Sequence, residues 1–363
     1  MIKLQKQKHI IIYVLIAIYF SGCSLKSSNQ NLPVNDNLFF PVQKKNLKGK
    51  NSITIAFGSC LKQNESLKIF DAIKNEEIDL FLMIGDNVYG NSANKSLSEL
   101  RRAYNKQKQN FKRLNLNFPI EAIWDDHDYG LNDGGKNYLY RDLSKELFLD
   151  FWEVPKNDIR RKRSGLYHQL NFTLDSLKAQ IIFLDTRYFR DELTPSDNLG
   201  AKGKERYVPS SDTSLTMLGE EQWSWLRNIF QTSVDLRIVI SSIQFLASGH
   251  GWESWNNLPH EKNKMEELID EFDLDNTIII SGDRHRGGLY KKLTQSSNII
   301  YEITSSSLNA PYPGDEEEGP YRIGDTFKLE NYGILNIDNS KRKLSMVLKN
   351  INGENVRFLE IKI

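Results

Sequence analysis

Ile78-Asp79-Leu80-Phe81-Leu82-Met83-Ile84-Gly85-Asp86 is the stretch that decides the fold. A short, nearly unbroken apolar run is how a strand covered on both faces reads. This one stops at a glycine and delivers a carboxylate. The same text recurs along the chain. Residues 52–57 lead to Gly58-Ser59-Cys60, and residues 118–124 to Asp125-Asp126-His127-Asp128. Residues 179–184 lead to Asp185-Thr186-Arg187, residues 236–241 to Gln244, and residues 277–280 to Ser281-Gly282-Asp283-Arg284-His285. Helical patterns lie between them: one after Asn64 or Ser66, and others near 96–108, 141–152, 219–231 and 260–271. Strands alternating with helices predict an α/β fold with a largely parallel, doubly covered sheet. Past residue 298 the helices stop. Residues 299–304, 332–337, 343–348 and 356–363 read as successive strands and predict a second, mostly antiparallel sheet. Segments 90–98, 155–165, 191–215 and 309–325 are polar, contain Gly or Pro, and read as loops.

Chemistry-bearing residues thus follow the strands, where open α/β sheets bind ligands. The rest of the composition narrows what they could serve. The 363 residues carry 48 Lys+Arg against 47 Asp+Glu, a net charge of +1. Such a chain has no basic field, which excludes a nucleic-acid backbone as partner. Hydrophobic residues at 39% and aromatics at 11% supply a core and exclude wholesale disorder. Two cysteines, Cys23 and Cys60, are too few for a disulfide framework.

The start of the chain reads as a processing signal over residues 1–22. Lys3, Lys6, Lys8 and His9 precede an unbroken apolar run of 11 residues, Ile10 to Phe20. That is short of the roughly 18 to 20 residues that span a bilayer but suits a signal-peptide core. Ser21-Gly22-Cys23 then resembles a bacterial lipobox, with Cys23 as the lipid attachment site; an ordinary cleaved signal is the alternative. Residues 23–50, rich in Ser, Asn, Lys and Gln, read as a flexible tether, and residues 51–363 as the folded domain. The expected location is the cell envelope, exported and held to a membrane through the N-terminal lipid.

Each cluster has a bland reading beside its functional one. Asp86 and Tyr89 could be a turn carboxylate and a partly buried phenol. Asp125, Asp126 and Asp128 around His127 would repel one another if desolvated and become reasonable beside cations. Asp283 and His285, two apart, point the same way in an extended segment and could ligate one centre. Cys60 could be a small buried apolar residue, a thiolate ligand or a nucleophile. The fork of Arg187 suits phosphate or a salt bridge to a nearby acid. Trp252 and Trp255 read as packing or pocket wall. His168, His250 and His260 read as structural or surface residues, and Glu316-Glu317-Glu318 as a solvated loop face.

The order Gly-Ser-Cys, Gly-Asp-x-x-Tyr, Trp-Asp-Asp-His-Asp, Asp-Thr-Arg, Ser-Gly-Asp-x-His is similar to that of the PhoD-like alkaline phosphatases, a branch of the calcineurin-like metallophosphoesterases. The resemblance spans roughly residues 53–310. It implies a four-layer αββα sandwich, two mixed sheets flanked by helices. It also implies phosphate-ester hydrolysis at a site of one ferric ion with calcium ions beside it; other divalent ions are the alternative. Carried over by position, Cys60, Asp86, Tyr89, Asp126, Asp283 and His285 match metal ligands. His127 matches the histidine that contacts phosphate and protonates the leaving group, and Arg187 a substrate-side arginine. Cations would neutralise the ester and turn a bound water into hydroxide near neutral pH. The expected partner is a phosphate-ester small molecule or a phospholipid headgroup. A phosphodiesterase or phospholipase-type activity on the same fold, and a non-catalytic surface binding lipoprotein, are the competing readings.

Overall fold

The computed structural model describes residues 50–363. The signal segment, Cys23 and the tether up to residue 49 lie outside the described residues. Among the described residues no helix is long and apolar enough to cross a membrane.

The chain opens with β1 (Ser52–Gly58), α1 (Ile69–Ile73), β2 (Leu80–Ile84), α2 (Ser98–Leu114) and β3 (Ile120–Ile123). Short α3 (Asp126–Tyr129) and α4 (Arg141–Phe151) follow, then β4 (His168–Leu174), β5 (Leu177–Phe183), α5 (Gly219–Phe230), β6 (Leu236–Ser241), α6 (Pro259–Glu271), β7 (Thr277–Ser281), β8 (Gly287–Leu293) and β9 (Ile299–Ser305). Three more strands end it: β10 (Asn331–Asp338), β11 (Lys343–Asn350) and β12 (Asn355–Lys362).

These strands make two mixed sheets of six, ordered β12-β11-β10-β1-β2-β3 and β4-β5-β6-β7-β9-β8. The parallel pairs are β1 with β2, β2 with β3, β5 with β6, β6 with β7, and β7 with β9. The expected separate C-terminal antiparallel sheet does not form. Instead β10 pairs antiparallel with β1, Ser52 opposite Asp338, and carries β11 and β12 onto the first sheet. Strand β9 joins the second sheet beside β7. The C-terminal strands therefore close two sheets begun by the N-terminal part.

Period-two alternation explains the layers. In β5, Ile181 and Phe183 belong to the core shared with the first sheet, while Ile182 belongs to a second cluster with Trp223, Leu226, Met265 and Ile269 of α5 and α6. The same alternation puts Ile238 and Ile240 on one side of β6 and Val239 on the other. Leu100, Ala103, Tyr104 and Phe111 of α2, at helical spacing, pack into the first cluster with residues of α1 and α4. The result is helices, sheet, sheet, helices.

Candidate metal centre

Every cluster singled out in the sequence sits just past the carboxyl end of a strand: Cys60 after β1, Asp86 after β2, Asp125 to His127 after β3, Arg187 after β5, and Asp283 and His285 after β7. Both sheets bring these ends together. Close approach depends on small residues. A Cβ built on Gly282 would stand 2.5 Å from Ser59 Oγ, and one on Gly85, at φ 118°, 2.6 Å from Asp125 Cβ.

The backbone at the site is strained. Cys60 (φ 58°), Asp86 (51°), Asp283 (56°) and His285 (55°) all adopt the left-handed region. L-residues pay about 1 kcal/mol or more for it, and such strain collects where a site requires it. Here it turns each side chain inward immediately after its strand.

Three groups of potential ligand atoms result, each with its atoms within 4.8 Å of one another: Cys60, Asp86 and His285; Asp86, Asp126 and His127; Asp125, Asp126 and Asp283. Asp86 is common to the first two groups and Asp126 to the last two, so the groups form a continuous chain. Tyr89 joins at Asp86, donating its hydroxyl to Oδ2 at 2.9 Å, and its ring lies 4.1 Å from that of His127. His127 Nδ1 meets Asn91 Oδ1 at 2.9 Å. His285 Nδ1 is bonded to the Ala310 carbonyl, which leaves Nε2 with the lone pair for a ligand.

The electrostatics call for positive charge. Burial first, then the charges of Asp86 and Asp283, push the Cys60 thiol well above its usual value. Burial, then Asp126 and Asp125, does the same to Asp86. Burial, then Asp125 and Asp126, raises Asp283, and burial, then Asp86, raises Tyr89. Asp125 Oδ2 and Asp126 Oδ1 are buried without a hydrogen-bond partner among the described residues. Carboxylates gathered in this way are costly unless cations compensate them, so the donor set fits metal ions.

Other residues of the clusters build the scaffold. Asp128 accepts from the backbone of Asp125 and Val88, each at 3.0 Å, and from Asn87 Nδ2 at 2.9 Å. No motif marks Ser306, whose hydroxyl accepts from the backbone of Arg284 (2.6 Å) and His285 (2.8 Å) and lies 3.2 Å from Cys60 Sγ.

Arg187 takes a different place from the substrate-side one expected. It is fully buried, with Nε 2.5 Å from Asp125 Oδ1, Nη1 2.5 Å from Glu253 Oε2 and Nη2 3.8 Å from Asp283 Oδ2. Its fork is enclosed by carboxylates, so of the two readings left open the salt bridge describes it. Arg187 positions Asp125 and Asp283. Glu253, equally unheralded in the sequence, holds Arg187 and also Arg190 at 2.9 Å. The acidic run at 316–318 also differs from a solvated face: Glu317 is buried and pairs with Arg284 (3.1 Å) and Arg286 (3.0 Å). His168 is structural, buried 3.2 Å from Glu121.

Comparison with known proteins bears on the family and the fold. Residues 150–347 match the family model of the PhoD-like phosphatases. Alkaline phosphatase D of Bacillus subtilis (strain 168) is 23% identical over 322 residues, covering 78% of this chain and 53% of that protein. The chain thus spans about half the length of this curated relative. A solved structure of PhoD superposes with a TM-score of 0.65 at 19% identity, covering 86% of this chain and 68% of the other. Purple acid phosphatase PPD1 from yellow lupin (Lupinus luteus) seeds gives a TM-score of 0.54 at 13% identity, covering 86% and 54%. Both likenesses are of fold, and they agree with the four-layer sandwich of two mixed sheets.

Proposed function

The chain belongs to the PhoD-like phosphatase family, and on that premise we propose that it is an exported, metal-dependent phosphatase acting on phosphate esters. The observation that carries this reading is the chain of three ligand groups linked through Asp86 and Asp126 at the strand ends. A packed core has no need of so much buried, mutually repelling charge.

The donor types differ along that chain. Cys60, Asp86 and His285, with Tyr89 alongside, offer sulfur, nitrogen and phenol oxygen, which suit an electron-poor ion such as Fe(III). Asp125, Asp126 and Asp283 offer only carboxylates, which suit a hard ion such as Ca(II). When bound, such ions would neutralise the phosphate oxygens and make water a nucleophile near neutral pH. The protein's own part falls to His127. Its Nδ1–H is held by Asn91 Oδ1, so the ring with Nε2 also protonated can pass that second proton to the departing alkoxide.

Two further readings stay attached to the site. A phosphodiester, including a phospholipid headgroup, would use the same ligands. A non-catalytic binding lipoprotein would retain the scaffold without turnover. One experiment separates all three: a panel of phosphomonoesters and phosphodiesters assayed on purified protein whose metals and visible absorption are measured on the same sample. A thiolate and a phenolate on one ferric ion should colour the protein, and Cys60→Ser and Tyr89→Phe should each alter that absorption and lower activity. A colourless, metal-free and active wild type would remove the metallophosphatase reading.

Export and anchoring are proposed from the short apolar run and Cys23. Cys23→Ser should move the protein from the membrane fraction to the soluble fraction with activity intact, read by fractionation and immunoblot. Retention in the membrane after that change would exclude the lipid anchor.

A further inference from the structure

Arg187 cannot meet a substrate, because its fork is fully buried and taken by Asp125, Glu253 and Asp283. Lys62, two residues past Cys60, is partly exposed. The segment that carries it is fixed from three sides. The Leu61 N–H donates to the Asp86 carbonyl at 2.9 Å. Gln63 clasps the Tyr89 backbone through both ends of its amide, at 2.9 Å each. Asn309 Oδ1 accepts from the Lys62 N–H at 2.7 Å, and Asn309 Nδ2 donates to the Lys62 carbonyl at 2.9 Å. The next residue, Ala310, is the one whose carbonyl holds His285 Nδ1. Lys62 therefore starts from a fixed point between Tyr89 and the support of His285.

Its side chain reaches the cluster. Nζ stands 5.4 Å from the centre of the Tyr89 ring, whose hydroxyl meets Asp86 and whose face lies against His127. Burial first, and among charges that of Lys62 first, lowers the pKa of the His285 ring, so the ammonium stands within electrostatic reach of that ligand too. Yet Nζ makes no ion pair or hydrogen bond among the described residues, although buried acids crowd the same site. The ring contact steadies the ammonium and leaves its three N–H donors open. A cation placed only to balance the acids would pair with one, as Arg187 does. A partly exposed, unpaired ammonium beside the ligands instead draws in an anion.

We propose that Lys62 is the substrate-side cation of this centre, its ammonium binding a non-bridging oxygen of the phosphate. The proposal rests on the phosphoesterase reading of the site and adds a binding residue to it. A single point charge of this kind serves the bound ester and the transition state alike, so its effect belongs in KM more than in kcat.

The test measures the binding of inorganic phosphate by calorimetry on wild type, Lys62→Met and Lys62→Arg, with metal content determined on the same samples. Lys62→Met should weaken phosphate by roughly tenfold at low salt, the worth of one charge-assisted contact, with metal content unchanged. Lys62→Arg keeps the charge and should recover most of that loss. With para-nitrophenyl phosphate the same factor should appear in KM, with kcat within about twofold of wild type. Unchanged phosphate affinity in Lys62→Met overturns the proposal. So does loss of metal in that variant, or an equal weakening in Lys62→Arg, since either marks a support for Tyr89 instead. Binding and turnover fail separately. A wild type that binds phosphate through Lys62 yet hydrolyses no ester ends the phosphatase reading alone. One that hydrolyses esters with no effect of Lys62→Met ends this proposal alone.

Discussion

Asp86→Asn should remove bound metal and turnover together. Asp86 is the residue common to the first two ligand groups, and Tyr89 and Cys60 both lie against its Oδ2, at 2.9 Å and 3.6 Å. Asparagine keeps the shape and retains a carbonyl oxygen to accept from Tyr89, but it cannot bridge two cations as a carboxylate does. Loss of a second-sphere partner commonly costs 10- to 100-fold in metal affinity or activity, so loss of this shared ligand should cost roughly 10³-fold or more in kcat/KM. The fold should survive, because the change takes one negative charge out of a buried, self-repelling group. Metal analysis, activity and thermal melting on one preparation give the answer. Wild-type metal content with wild-type turnover would end the idea that Asp86 links two ions.

The second large effect belongs to His127. Removing a general acid lowers rates by about 10²- to 10⁴-fold, and His127→Ala should fall in that range on an alkyl phosphate. The loss should shrink for an aryl phosphate whose leaving group departs without a proton. That dependence distinguishes the two roles its position permits, since His127 also belongs to the second ligand group. As general acid, its removal leaves metal content intact and the deficit follows the leaving group. As ligand, its removal lowers metal content and the deficit is uniform. Its ring is placed by the Tyr89 ring and by Asn91, so Asn91→Ala should reproduce a smaller part of the same pattern.

What the sequence disclosed and what it concealed follow the range of the interactions involved. Apolar strands that stop at a glycine and a ligand-type residue announce themselves locally, so Cys60, Asp86, Asp126, His127, Asp283 and His285 were all legible. Strands β4 and β8 were not. Both lie at sheet edges, and β4 alternates Gln169, Asn171 and Thr173 with Leu170, Phe172 and Leu174, the pattern of a half-covered strand, without the unbroken apolar run and ligand-type ending that mark the other strands. Pairing of β1 with β10 was equally hidden, because it joins Ser52 to Asp338 and no local pattern encodes a partner so distant in the chain. The same holds for the shell around the ligands. Glu253 lies between Trp252 and Trp255, and Ser306 just past β9, but a glutamate and one serine among several are residue types too common to single out there. Arg187 shows the converse. Its residue type and strand-end position suggested phosphate, whereas the acids that enclose it come from distant stretches of chain: Asp125, Glu253 and Asp283.

The first and third ligand groups also have a mechanical side. Each mixes residues of both sheets: Cys60 and Asp86 with His285, and Asp125 and Asp126 with Asp283. An ion held by either would staple the two sheets together at their carboxyl ends. A ligand at a thousand times its dissociation constant adds about 4 kcal/mol to stability, comparable to a good disulfide. Cys60 is the one cysteine among the described residues and is unpaired, so no covalent cross-link does this work there. The staple would be as permanent as the surrounding supply of metal. A chelator would act on this protein as a reductant acts on a disulfide-bonded one, leaving the apolar interior and the Arg187–Asp125 ion pair to hold the two sheet ends.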